Sequence, residues 1–269
     1  MLSLESKSKI GEHKPATAYI LTVVHQLKKD TEIYRKFIMK NSKRLILGLL
    51  ITLMIYLIAV GFGKKINPDN SFFLSSFGTH TIMFVLSLIA IYSLKDHLNY
   101  NISFPKISKI IKPFFLAILL TIIINFITVN ITKVLEHKAD IHPIFKDSSG
   151  WQILIFVFIY ASIAEELLFR GFLLNFIKSY SNKSITIFKR KISYPILISG
   201  LTFGLAHLVL LYSEVNVFFV ARVVIFASFL GILAGYYQEK YKNNAYAIVV
   251  HMGGNFMGVI AAFLMNLLH

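Results

Sequence analysis

The sequence predicts an all-α polytopic membrane protein of about seven transmembrane helices, and three observations predict it. The 269 residues are 56% hydrophobic with a mean hydropathy of +0.66, far above a soluble domain's norm. Apolar runs close to the ~20 residues that a bilayer requires recur along the chain. The basic residues fall between those runs rather than on one soluble face, so the net charge of +15 points away from nucleic acid. There are no cysteines, which excludes disulfides, a thiolate nucleophile and a cysteine-ligated metal.

The elements follow in order. Residues 1–44 are polar and basic, with ten Lys or Arg and no apolar core followed by a cleavage site, so they do not read as a removable signal peptide. Within them, 19–37 mixes Ile20, Leu21, Val24, Leu27, Ile33 and Phe37 with Lys28, Lys29, Arg35 and Lys36. That is the pattern of an amphipathic helix lying on anionic lipid. Apolar spans follow at 45–62, 73–94, 113–132, 151–177, 194–212, 216–237 and 245–268. With the N-terminus cytoplasmic, 21 of the 28 Lys and Arg fall in inner segments (1–44, 95–112, 178–193, 238–244). Five fall in outer segments (64–72, 133–150), and Arg170 and Arg222 lie within spans. The excess on one side predicts a cytoplasmic N-terminus and an outside C-terminus.

The chain divides into a basic segment 1–44, three bracing helices over 45–132, and a four-helix working unit over 150–268. The first three spans carry no acid, only His80, Asn125 and Asn130 among strongly polar groups. The last four carry Glu165, Glu166, Arg170, His207, Arg222, His251 and Asn255. They also carry Gly200/Gly204, Gly231/Gly235 and Gly254/Gly258, small pairs at i,i+4 that let helices approach closely in lipid.

The stretch AEELLFRGF, 164–172, sets a dense charge cluster in the middle of a span, where ionisable groups are costly and usually face a protein interior. Glu166 and Arg170 stand at i,i+4 with the acid first, the favourable order for an ion pair. Glu165 points about 100° away around the helix, with Ala161, Ser162, Leu168 and Phe169. One carboxylate is thus neutralised within its helix and the other is left to react. A structural charge cluster is the plainer reading of the same residues.

Counting ~1.5 Å per residue from the inner ends places Glu165, His207, His251 and Asn255 at depths where one mid-membrane site is feasible. His251 and Asn255, at i,i+4, share a face. A carboxylate and an imidazole can together activate a water, and a second imidazole and a carboxamide can stabilise an oxyanion. That is amide hydrolysis without a covalent enzyme intermediate. His80 reads as a packed or hydrogen-bonded residue. Arg222 reads as snorkelling outward or pairing with Glu214. Both are left out of the site.

Glu165-Glu166-x-x-x-Arg170, Phe203-x-x-x-His207 and His251-x-x-x-Asn255, each on its own predicted helix, resemble the CAAX-processing and bacteriocin-processing (CPBP) family of intramembrane proteases. The resemblance covers roughly 150–260. It implies an intramembrane endopeptidase related to type II CAAX-prenyl endopeptidases, acting on a membrane-associated peptide or protein in a bacterial cell membrane. It further implies that Glu165 and His207 activate water, that His251 and Asn255 form an oxyanion pocket, and that Glu166, Arg170 and Phe203 support them. Bacterial relatives are linked to bacteriocin maturation, self-immunity and peptide-signal processing. A zinc ion held by Glu165, His207 and His251 is chemically acceptable. The absence of an HExxH helix favours a metal-free reaction. A non-catalytic scaffold or immunity protein on the same fold is the alternative, and a proton-coupled transporter a third. The first is opposed by retention of every motif residue, the second by the absence of paired broken helices.

Overall fold

The computed structural model describes residues 16–65, 72–136, 142, 144–178, 183–187, 189–212 and 215–268. Residues 1–43 and 44–269 form two separate units, and the site belongs entirely to the second. Among the described residues, seven helices are long and apolar enough to cross a membrane. In chain order the elements are α1 (Ala16–Lys65), α2 (Phe72–Ser93), α3 (Ile107–Glu136), a short α4 (Ile144–Asp147) and α5 (Gly150–Ile177). A hairpin of β1 (Ser184–Ile187) and β2 (Arg190–Ser193) comes next. The chain then forms α6 (Tyr194–Ala206) with a tighter turn over His207–Tyr212, α7 (Val217–Tyr241) and α8 (Ala245–Leu268). The all-α polytopic expectation therefore holds.

Two boundaries differ instructively. Helix α3 starts at Ile107, six residues before the expected span, and carries Pro113 beyond its first turn. Proline removes one backbone bond there. The segment expected as the 178–193 loop holds an antiparallel ribbon pairing Ser184 with Ser193 and Ile187 with Arg190. Lys189 adopts φ 64° at its turn. Residues 19–37 are helical, but the apolar side chains of the expected amphipathic face lie outside the described residues. His25, Gln26, Lys28 and Lys29 of that helix are exposed.

Helix α5 is the central element. Half of its most apolar window is buried, against 17–22% for the windows of the first three spans. One core packs Leu168, Phe169, Phe172 and Leu173 of α5 against Ile55 and Ala59 of α1 and Met83 of α2. A second joins Ala117 of α3 to Leu230 and Ala234 of α7 and to Ala247 and Val250 of α8. Outward side chains such as Leu50, Leu57, Phe126 and Ile155 are exposed, as an apolar solvent permits.

Between α6 and α7 the small residues set the distance. A Cβ added to Gly200 would lie 2.8 Å from the Ile232 backbone nitrogen and 3.2 Å from the Gly231 carbonyl carbon. One added to Gly231 would lie 3.0 Å from Gly200 Cα and against the Arg170 guanidinium. Only a side chain of one hydrogen fits at this crossing.

Helix α5 is not a regular α-helix. Ile153–Ala161 and Leu167–Leu174 bond in wider, π-type turns. Such turns are rare and concentrate at functional sites. Side chains of α5 itself and of its neighbours bond the carbonyls of the second stretch. Ser199 donates to Phe169 O at 2.7 Å, and Gln238 and Asn175 each donate to Arg170 O at 2.9 Å. In an apolar surround such compensation is required.

Candidate functional site

Glu165 and Glu166 are adjacent in sequence and occupy different surroundings. The Glu166 side chain keeps 1% of its surface and Arg170 none, whereas Glu165 keeps 16%. Arg170 Nη1 donates to Glu166 Oε1 at 2.8 Å, the pair that the i,i+4 spacing predicts. The guanidinium carbon also lies 4.5 Å from the centre of the Phe203 ring. Glu166 Oε1 further meets His251 Nδ1 at 2.8 Å. Glu166 thus ties α5 to α8, and its charge is met from two sides.

Glu165 lines a cavity of about 680 Å³ together with His207, His251, Asn255 and Phe203. Its Oε2 lies 3.4 Å from His251 Nε2. Its Oε1 lies 2.9 Å from Nε2 of His80 on α2. That contact revises the expectation that His80 stands apart from the site and that the first three helices only brace it. His80 Nδ1 lies 2.6 Å from the Ser76 carbonyl, which can only accept, so Nδ1 carries hydrogen. Nε2 then faces a carboxyl oxygen, and one proton must lie between them, on the imidazole or on the acid. Asn125 and Thr121 of α3 also line the cavity.

The same reasoning fixes His207. Its Nδ1 lies 3.0 Å from Phe203 O and carries hydrogen. Its Nε2 is therefore the basic nitrogen. The Phe203 ring stands edge-on between two imidazoles, 5.1 Å from that of His207 and 5.4 Å from that of His251. Phe203 positions both.

Asn255 is placed less simply. Its Nδ2 donates to Val157 O at 3.1 Å and to Ser162 Oγ at 3.2 Å, so the amide holds α5 within the first π-type stretch and just after it. Arg222 lines the cavity with its guanidinium 5.0 Å over the Phe219 ring, and its expected partner Glu214 lies outside the described residues. His142, before α4, also lines the cavity. Burial, reinforced by the nearby His207, lowers it to about 4, so it is uncharged at neutral pH.

A zinc site needs three protein ligands about 2.0–2.2 Å from one point. Among the described residues no three His, Asp or Glu side chains are so arranged. Glu165 instead contacts His80 directly, as far as an ordinary hydrogen bond reaches. The residues as placed do not form a cradle for an ion.

The signal that would have found His80 was present in the sequence. It is the lone imidazole of an apolar span, and Ser76 stands one turn before it. An ionisable group at bilayer depth is a site candidate by default.

Comparison with known proteins adds a family. Residues 147–257 match the family described as type II CAAX prenyl endopeptidase Rce1-like. The match covers less than half of the chain. It contains all three motifs and excludes His80. No curated protein and no solved structure matches the chain.

Proposed function

On the premise that residues 147–257 form a type II CAAX prenyl endopeptidase Rce1-like domain, we propose that the protein is an intramembrane endopeptidase that hydrolyses a peptide bond with a water activated by Glu165 and His207. The observation that carries the reading is the contrast between the two glutamates. Glu166 is sealed in an ion pair, while Glu165 opens into a cavity shared with His207, His251 and Asn255.

The water sits between Glu165 Oε2 and His207 Nε2. His207 takes one proton as the water oxygen bonds to the substrate carbonyl carbon. Glu165 balances the imidazolium that forms. The carbonyl oxygen becomes an oxyanion, and its donors are the Asn255 amide and His251, which carries one N–H toward Glu166 and a second, on Nε2, toward this oxygen. Asn255 exchanges Val157 O for this oxygen when substrate is present. The tetrahedral intermediate then collapses, the C–N bond breaks, and His207 returns its proton to the leaving amine. Glu166, Arg170 and Phe203 position these groups, and His80 holds Glu165 Oε1 so that Oε2 remains available. No step requires a metal.

The substrate is a membrane-embedded or membrane-associated peptide or protein. The N-terminal segment is proposed to lie in the cytoplasm against anionic lipid, with the C-terminus outside, on the loop-charge asymmetry. Mass spectrometry of membrane peptides from cells with wild-type protein or Glu165→Ala tests the activity. Peptide fragments present only with wild-type protein are expected. Identical peptide sets at equal protein abundance would leave the scaffold or immunity reading in its place.

A further inference from the structure

Most of the cavity wall comes from the half of each span nearer the start of α5, with Met83, Phe169 and His251 among those that line it from the other half. Its walls include Val60 near the end of α1, Ser75 near the start of α2 and Val129 in the second half of α3. Val157 near the start of α5, Val223 near the start of α7 and Met257 in the second half of α8 complete the pattern. All six lie between the catalytic layer and the Gly150 face, the end of the bundle where α5 begins.

The opposite end, where α5 finishes at Ile177, is closed. Leu173, Leu174, Phe176 and Ile177 are almost wholly buried. Arg44 Nε donates to Phe176 O at 2.6 Å, and its Nη2 bonds His97 O. A strap after α2 crosses to the α7–α8 turn. Asn244 N donates to Asn101 O at 2.9 Å, Asn101 Nδ2 to Lys242 O at 3.0 Å, and Asn243 Nδ2 to Ser103 O at 3.0 Å. The cavity wall thus extends from Glu165 toward the Gly150 face, while a packed layer lies at the Ile177 face.

Charge assigns the faces. Among the described Lys and Arg of residues 44–269, four lie in the segments of the Gly150 face and twelve in those of the Ile177 face. The excess marks the Ile177 face as cytoplasmic. We infer that the site takes its substrate from the non-cytoplasmic side of the membrane, so the substrate class is a peptide segment displayed on the outer face or in the outer leaflet. The inference rests on the protease reading for the word substrate, and on the cavity and the charges alone for the side.

The absence of cysteine from the chain makes a clean test. Ser75→Cys, Asn125→Cys and Met257→Cys place single thiols in the cavity wall, and Ser184→Cys places one on the exposed hairpin of the Ile177 face. A membrane-impermeant sulfonated maleimide is added to right-side-out vesicles and to inside-out vesicles. The three cavity thiols are expected to react only in right-side-out vesicles and the hairpin thiol only in inside-out ones. Cavity and hairpin thiols reacting from the same side would overturn the one-sided cavity. A full reversal would overturn the outer access, and cavity thiols inert from both sides would overturn the open route. Outer labelling together with unchanged membrane peptides in Glu165→Gln cells would sink the protease reading and leave the access intact.

Discussion

Replacing Arg170 with methionine probes the account where its energetics are most explicit. Arg170 is wholly buried, and its charge is met by Glu166 Oε1 at 2.8 Å. Removing one side of such a pair costs about 3–5 kcal/mol, because the partner's charge remains buried. Here Glu166 Oε1 retains His251 Nδ1 at 2.8 Å, which places the loss near the lower bound, about 3 kcal/mol. Glu166→Gln in the same chain removes the stranded charge and keeps an oxygen that His251 can reach. The double variant should therefore be more stable than Arg170→Met alone. The measurement is the unfolding free energy in mixed lipid–detergent micelles, followed by circular dichroism, for wild type, both single variants and the double. Arg170→Met within about 0.5 kcal/mol of wild type, the range of an unremarkable surface change, would refute the reasoning. So would a double variant no more stable than Arg170→Met.

Three further outcomes follow from contacts already described. His80→Ala should lower turnover roughly ten- to hundredfold, the worth of a hydrogen bond to a charged group, and His80→Gln should restore part of it. Equal turnover in wild type and His80→Ala would remove His80 from the site. Asn255→Ala should lower kcat by roughly 10²–10³ with KM little changed if its amide serves the oxyanion; a loss of thermal stability with kcat intact would confine Asn255 to holding Val157 and Ser162. Gly200→Ala should cost about 1–3 kcal/mol by overpacking against Ile232 and Gly231, and an unchanged melting temperature in detergent would mean that α6 and α7 are not in close contact there.

The fold was legible where composition is decisive. Span length and loop charge are properties of the chain that lipid reads directly, so the seven helices follow from them. The Glu166–Arg170 pair was legible because i,i+4 geometry is local. The partners of Glu165 were not, since nothing local connects position 165 to position 80 of another helix. The π-type turns of α5 were hidden for a related reason. They depend on carbonyls accepted by Ser199 and Gln238 from α6 and α7, and on no pattern within α5 itself. The hairpin had a faint signal, with Ile185 and Ile187 alternating with Thr186 while Ile192 sits next to Lys191. The basic loop charge outweighed it. Asn255 was assigned by resemblance to an oxyanion role, and its bonds to Val157 and Ser162 come from the packing of α8 against α5.

The central claim is that Glu165, without a metal, drives hydrolysis. The direct measurement is the cleavage rate of a membrane peptide identified in cells, by purified wild-type protein and by Glu165→Gln of equal folding, each before and after exhaustive chelation with metal content determined. The account predicts cleavage by wild type that survives chelation and is lost in Glu165→Gln. Stoichiometric zinc whose removal stops cleavage and whose return restores it, or undiminished cleavage by Glu165→Gln, would contradict it.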